Sequence, residues 1–148
     1  MRGLVVEFQS QRSASEGSFT AAADNLRPKN GARHPSTILV VEDEILTRMA
    51  AADHLRDCGY RVLEAADAEE ARTLLRASEP IEVVVSDINM PGMDGVTLAL
   101  WIAQEFPDVK VILTSGDVRN APAARAAAHY LEKPYDLAAL GRLIKQMI

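Results

Sequence analysis

Polar side chains follow four of the short apolar segments in this sequence, at the point where each segment ends. They are Glu42-Asp43-Glu44, Ser86-Asp87, Ser115 and Lys133. Carboxylates gathered at one place repel one another, and without compensation some of them would have to stay protonated. A hard divalent cation removes that problem. Mg2+ suits this role because it accepts a few carboxylate oxygens, keeps several waters and shares phosphate oxygens readily.

Such a cluster could accept a phosphoryl group. Once a metal neutralises the local charge, one carboxylate can attack an activated phosphoryl group and form an aspartyl phosphate. Lys133 can then pair with the new phosphoryl oxygens as a compact cation, and the Ser115 hydroxyl can donate a hydrogen bond to one of them. These residue types therefore predict a site of phosphoryl transfer.

The segments that must position these residues alternate between two patterns from Thr37 onward. Short β-branched apolar runs predict strands at 38–41, 61–65, 81–86, 110–114 and 130–132. Longer segments with helical periodicity predict helices at 45–58, 68–77, 95–106, 120–128 and 136–148. Pro122, after Asn120 and Ala121, indicates that the fourth of these helices is short and starts late.

This alternation predicts an α/β fold, a doubly wound five-stranded parallel sheet. Val83, Val84 and Val85 are consecutive apolar residues, as expected for a strand that helices cover on both faces. In such folds ligands bind beyond the carboxyl ends of the strands, where the strand order reverses. With the flavodoxin-like order 2-1-3-4-5, the first and third strands flank that point, so Glu42, Asp43 and Asp87 would converge there.

Composition and charge narrow the function further. Residues 1–36 carry five Lys/Arg against three Asp/Glu, have no sustained periodicity, and are predicted to be a flexible tail. Residues 37–148 form one predicted domain and carry 11 Lys/Arg against 18 Asp/Glu, which disfavours direct contact with nucleic acid. Cys58 is the one cysteine, so an intramolecular disulfide is excluded. With no apolar run of about 18 residues and no secretory signal, we expect a cytoplasmic protein without a membrane partner.

The motifs at the strand ends resemble the receiver domains of bacterial two-component response regulators, over residues 37–148. The match lies in ILVVEDE (38–44), VVVSDINMPGMDG (83–95), VILTSG (111–116) and YLEKP (130–134). The resemblance implies a receiver fold in which Asp87 is the phosphoacceptor. It also implies that Glu42 and Asp43 form the acidic metal-binding pair, here beginning with Glu rather than Asp.

The same resemblance implies further roles. The backbone carbonyl of Asn89 would join the Mg2+ ligands, Ser115 and Tyr130 would act as the switch pair, and the Lys133–Pro134 bond would be cis. A sensor histidine kinase or a histidine phosphotransfer protein would supply the phosphoryl group. Because no output domain follows Ile148 in this sequence, the signal would leave through phosphorylation-dependent protein contacts, and the chain would not be an enzyme beyond its own phosphorylation and dephosphorylation.

Simpler roles remain open for several of these residues. Glu44 is better explained as the cap of the following helix than as a metal ligand. Ser115 could satisfy a turn, Lys133 could form an ordinary ion pair, and Tyr130 could be a half-buried strand residue.

Alternative functions are also open. The same fold could serve as a phosphorylation-independent interaction module or as a phosphate sink. A phosphatase of the aspartyl-phosphate class is disfavoured because Asn89 occupies the second position of its Asp-x-Asp pattern. Nucleotide binding is disfavoured because no glycine-rich loop follows the first strand.

Overall fold

The computed structural model describes residues 34–77, 80–117 and 126–148. The predicted tail lies outside these ranges except for its last three residues. Residues 120–125 of the predicted fourth helix (120–128) also lie outside them. Within the described ranges, no helix is long and apolar enough to cross a bilayer.

Five parallel strands form a single sheet. They are β1 (Thr37–Val41), β2 (Arg61–Ala65), β3 (Val83–Asp87), β4 (Lys110–Ser115) and β5 (His129–Glu132). The strands lie in the order β2-β1-β3-β4-β5, which confirms the predicted 2-1-3-4-5 topology. Strand β1 therefore lies between β2 and β3, and the carboxyl ends of all five strands meet at one edge of the sheet.

In the described part of the chain, four helices connect or follow the strands. They are α1 (Ile45–Asp57), α2 (Ala68–Ala77), α3 (Gly95–Glu105) and α4 (Leu137–Met147). A carboxylate caps each of them, because Glu44, Asp67, Asp94 and Asp136 accept backbone hydrogen bonds from the first turns of α1, α2, α3 and α4. The role predicted for Glu44 is thereby confirmed.

The predicted fourth helix is wrong over its last three residues. Ala126 and Ala127 lie in a turn, and Ala128 leads directly into β5. The chain must extend at this point to enter the sheet at His129, and the local helical propensity of the alanines does not outweigh that pairing.

The sheet is buried on both faces, as the consecutive apolar positions predicted. Along β1, Leu39 and Val41 belong to a core cluster with residues of α2 and α3, while Ile38 and Val40 belong to a second cluster with residues of α1 and α4. Successive side chains of a strand point to opposite faces, so each strand contributes to both clusters. Apolar contacts therefore hold the strand ends rigidly, and the polar residues that follow them are held at one edge.

Candidate functional site

Asp87 is the last residue of β3, a strand in which every residue is buried. Its own exposure is 8%, so the carboxylate is largely withdrawn from solvent while it remains at the carboxyl edge of the sheet. The backbone N–H of Asn89 donates to Asp87 Oδ1 over 3.4 Å. The loop that follows is held by the Ile88 N–H, which donates to the Thr114 carbonyl of β4 at 3.0 Å.

Helix α3 begins directly against this loop. The Gly95 N–H donates to the Ile88 carbonyl at 2.8 Å. A Cβ atom added at Gly95 would lie 2.9 Å from the Ile88 Cα and in hard contact with the Asp87 carbonyl oxygen. A glycine is therefore required here for close approach of two backbone segments, and that approach fixes where Asp87 stands.

Three carboxylates converge at this edge. One oxygen each from Glu42, Asp43 and Asp87 lies within 4.8 Å of the other two. Glu42 and Asp87 are buried, and Asp43 is exposed. The convergence follows from the topology, because β1 and β3 are neighbours and end at the same level, with Val41 opposite Ser86.

Lys133 brings one positive charge into this cluster. Its Nζ lies 3.4 Å from Glu42 Oε1 and 3.4 Å from Asp87 Oδ2. Its backbone N–H donates to the Ser115 carbonyl at 2.8 Å, which ties the end of β5 to the end of β4. The Lys133–Pro134 bond is cis, as the resemblance implied.

Burial and charge shift the pKa values of two of these groups. Burial is the largest effect on Glu42 and raises its pKa above the ordinary carboxyl value, although the Glu44 N–H and Lys133 act in the opposite direction. Burial also has the largest effect on Lys133, where it lowers the pKa, but attraction to Glu42 and Asp87 outweighs it and the pKa is raised overall. Lys133 therefore remains an ammonium group at neutral pH.

The donor set fits a hard divalent cation. All three groups offer oxygen, one of them is open to solvent, and the three negative charges face the single charge of Lys133. Mg2+ takes such ligands and retains waters at its other positions. Glu42, Asp43 and Asp87 are the residues that would hold it.

Replacing Glu42 by Gln tests this electrostatic balance. Because the pKa of Glu42 is raised on folding, the folded chain holds the Glu42 proton more tightly than the unfolded chain does. The free energy of unfolding therefore falls as the pH rises from the ordinary carboxyl pKa to the raised pKa of the folded state. We expect Glu42→Gln to raise the free energy of unfolding at neutral pH in a chelating buffer. The gain should vanish at acid pH, where wild-type Glu42 is protonated in both states. Urea unfolding at the two pH values measures this, and a gain of equal size at both would contradict it.

Ser115 ends β4 and is buried. Its Oγ accepts a hydrogen bond from the Asp117 N–H at 3.1 Å, so in this structure the hydroxyl oxygen satisfies a turn. Ser115 thus lies on β4, between β3, which ends at Asp87, and β5, which Lys133 directly follows.

Tyr130 lies on β5 opposite Leu113 of β4 and is half-buried. Its ring packs against the core cluster formed with α2 and α3. This position agrees with an ordinary strand residue as well as with a switch residue, and its role remains a prediction. Asn89 is exposed and lies two residues after Asp87 in the chain. This short separation is compatible with a backbone carbonyl that binds the same metal as Asp87.

Two residues near the site had not been predicted from the sequence. Arg48 on α1 donates from Nη1 to the Glu42 carbonyl at 2.7 Å. Tyr135 lines a small cavity together with Glu42 and Asp87, and burial raises the pKa of its phenol. The sequence offered a signal for Tyr135, because this residue lies two positions after Lys133. It offered no signal for Arg48, because Arg48 contacts a backbone carbonyl, which every residue carries.

A parallel sheet of this order with an acidic cluster and a lysine at its carboxyl edge defines a phosphoacceptor signalling domain. The model of the response regulator receiver domain matches residues 38–145, and the chain belongs to that family. Members of this family are signalling phosphoacceptors rather than enzymes in the usual sense, and they work with histidine kinases in two-component systems.

Known proteins similar to this chain include both a kinase and separate receivers. Over 119 residues the chain is 39% identical to sensor kinase CckA of Brucella abortus (strain 2308), a match that covers 76% of this chain and 12% of CckA. The chain thus spans only a small part of that relative. It is 30% identical to response regulator TrrA of Thermotoga maritima, solved in complex with Mg2+ and BeF, with a TM-score of 0.71 and coverage of 76% and 99% of the two chains.

A third likeness shows the fold alone. Chemotaxis protein CheY4 of Vibrio cholerae is 24% identical, with a TM-score of 0.72, and the match covers 77% of this chain and 99% of that one.

Proposed function

We propose that this chain is a response-regulator receiver that accepts a phosphoryl group on Asp87 in the presence of Mg2+. The observation that carries this proposal is the convergence of the Glu42, Asp43 and Asp87 oxygens within 4.8 Å, with Lys133 Nζ at 3.4 Å from Asp87. The Mg2+ complex of the similar protein TrrA supports the choice of metal. The Asn89 carbonyl completes the proposed protein ligands.

The phosphoryl transfer itself needs little from the protein beyond placement and charge. An Asp87 carboxylate oxygen forms the new P–O bond, and the bond to a histidine nitrogen of the donor breaks. Mg2+, when bound, supplies positive charge that offsets the repulsion between the carboxylates and the incoming phosphoryl oxygens. Lys133 already contacts Asp87 and is held as an ammonium, so it can pair with a phosphoryl oxygen after a small movement.

The proposed donor is a sensor histidine kinase or a histidine phosphotransfer protein. Three large apolar side chains stand exposed on α1 next to the acidic cluster, namely Ile45 (60%), Leu46 (73%) and Met49 (47%). An exposed apolar patch beside the reacting group suits transient docking of a protein donor. Because a sensor histidine kinase draws its phosphoryl group from ATP, we propose that the reaction takes place in the cytoplasm.

The proposed output is a change at the face that contains β5 and α4. Phosphorylation would draw the Ser115 hydroxyl toward the phosphoryl group, where it donates a hydrogen bond, and would let Tyr130 turn inward. The predicted fourth-helix segment, which would complete this face, lies mostly outside the described residues. The downstream partner is a protein that distinguishes the two states, and the acidic charge of residues 37–148 argues against nucleic acid.

Phosphoryl uptake is expected to depend on Mg2+. Incubation with acetyl phosphate and Mg2+ should add the mass of one phosphoryl group, and a chelator should slow the reaction by about 100-fold or more, which corresponds to several kcal/mol of lost charge stabilisation. Intact-mass spectrometry measures both. An unchanged mass with acetyl phosphate and Mg2+, together with unchanged NMR resonances of Tyr130 when beryllofluoride and Mg2+ are added, would refute the proposal.

A further inference from the structure

We propose that Arg48, oriented by Glu64, is a positioning residue that fixes the peptide between Glu42 and Asp43 and thereby sets the Mg2+ affinity of the site. This inference rests on the proposed function, because it assigns residues that support the same metal ligands. Neither residue contacts the cluster of carboxylate oxygens. Both act through the backbone that carries it.

Every polar group of Glu42 is held by a partner. Its N–H donates to the Ala65 carbonyl of β2 at 3.0 Å, and its carbonyl accepts from Arg48 Nη1 at 2.7 Å. Its carboxylate accepts from the Glu44 N–H at 3.2 Å and lies 3.4 Å from Lys133 Nζ. The contact from Arg48 is the shortest of the four, and it comes from a charged donor, which makes it the stronger kind of hydrogen bond.

That contact matters most for Asp43. The Glu42 carbonyl belongs to the peptide unit that joins Glu42 to Asp43, so the group that holds it sets the direction in which Asp43 leaves the strand. Asp43 is exposed, and among the described residues its carboxylate has no hydrogen bond or ion pair to orient it. The backbone held by Arg48 is therefore the main constraint on where this metal ligand lies.

Arg48 is oriented by Glu64 in turn. Arg48 Nε lies 3.4 Å from Glu64 Oε1, and the two side chains are only 16% and 27% exposed. Glu64 stands opposite Val40 on the neighbouring edge strand β2, one residue before Ala65. Its second oxygen contacts Arg56 Nη2 at 3.0 Å, and Arg56 also donates to the Val62 carbonyl at 3.1 Å. Two arginines on α1 thus share one glutamate, but only Arg48 reaches the metal-binding edge.

Glu64 also balances the positive charge of Arg48 by forming an ion pair with it. With Glu64 in place, the guanidinium is paired, and Nη1 donates to the neutral carbonyl of Glu42. Without Glu64, an unpaired cation would remain beside three carboxylates, free to turn toward exposed Asp43 and compete with a divalent cation. Loss of either residue should weaken Mg2+ binding, and loss of Glu64 should do so only while Arg48 is present.

The test is Mg2+ titration by calorimetry on the full chain, with urea unfolding of each variant in chelating buffer. Arg48→Ala and Glu64→Ala should each raise the Kd for Mg2+ by about tenfold, the lower end of the range for residues that orient metal ligands. The double variant should match Arg48→Ala alone. Arg56→Ala is the matched control, because it removes an arginine from the same helix and the same glutamate without touching Glu42. It should lower stability and leave the Kd unchanged.

Three results would overturn the inference. One is a wild-type Kd in Arg48→Ala. Another is a further loss of affinity when Glu64→Ala is added to Arg48→Ala, since Glu64 would then act by a separate route. The third concerns Arg48→Lys, which retains the charge but loses the fork of donors. If Arg48→Ala fails to fold, Arg48→Lys should still weaken Mg2+ binding, and a wild-type Kd in that variant would contradict the inference.

Asp43→Asn separates the two proposals. If the wild type binds Mg2+, Asp43→Asn does not bind it, and Arg48→Ala binds it with the wild-type Kd, only the positioning role fails. Absence of binding in the wild type defeats the proposed function as well.

Discussion

Asp87→Asn is expected to reduce phosphoryl uptake from acetyl phosphate to background. The amide has the shape of the carboxylate, but it lacks the anionic oxygen that attacks phosphorus, so the chemical step is lost while the loop geometry is kept. The fold should survive, because the change removes one of three neighbouring negative charges and leaves Lys133 in contact with Glu42. Intact-mass spectrometry with acetyl phosphate and Mg2+ checks the result.

Asp94→Asn is the matched control for this experiment. Asp94 lies in the same connection between β3 and α3, and its Oδ1 accepts from the Thr97 N–H at 2.8 Å as the cap of the helix. Asparagine caps helices about as well as aspartate, so stability should change little. This variant should gain one phosphoryl group at the wild-type rate. Uptake by Asp87→Asn equal to that of the control would mean that another carboxylate is the acceptor.

Gly95→Ala is expected to destabilise the protein by about 1–3 kcal/mol, the usual cost of forcing an extra carbon into a packed site. At an ordinary position near the start of a helix, alanine would be favoured over glycine. Here the new Cβ would lie 2.9 Å from the Ile88 Cα and 3.0 Å from the Asp87 carbonyl carbon, and backbone atoms cannot turn aside as side chains can. Relief requires α3 to move away from the Asp87 loop, so phosphorylation should slow as well.

Gly141→Ala provides the comparison. Gly141 lies within α4, and the nearest atoms to an added Cβ are His54 Nε2 at 3.5 Å and Cys58 Sγ at 3.7 Å, which are ordinary contacts. Alanine there should be neutral or stabilising by roughly 0.5–1 kcal/mol through its helix propensity. Urea unfolding of both variants measures the difference. A Gly95→Ala protein as stable as Gly141→Ala would show that α3 is not tightly held against the Asp87 loop.

Several parts of the site could be predicted because they depend on local pattern and a simple topology. Apolar runs at 38–41 and 81–86 identified the two central strands, and their common direction placed Glu42 and Asp87 at one edge. The cap at Glu44 followed from an acidic residue directly before a helical segment. The strands and the cap depend on residues close together in the chain, and the shared edge follows from the parallel pairing of β1 and β3.

Other parts depended on contacts between distant segments. The end of the predicted fourth helix was wrong because the chain extends into β5 directly after Ala126–Ala128, and the residue at which a run of alanines stops being helical has no local signature. The need for glycine at 95 arises where the start of α3 meets the Asp87 loop, and several residue types would otherwise suit that position.

By itself, the sequence determined the class of fold, the strand order through the receiver motifs, and the residue types available for phosphoryl chemistry. Periodicity and short motifs carry this information because they depend on neighbours in the chain. Only the tertiary structure decided how the site is held: that Lys133 contacts both buried carboxylates, that Arg48 holds the Glu42 carbonyl, and that Glu64 orients Arg48 from an edge strand. Lys133 lies far along the chain from both carboxylates, and Arg48 contacts a backbone carbonyl, which every residue carries, so no local pattern of residue types marks these contacts.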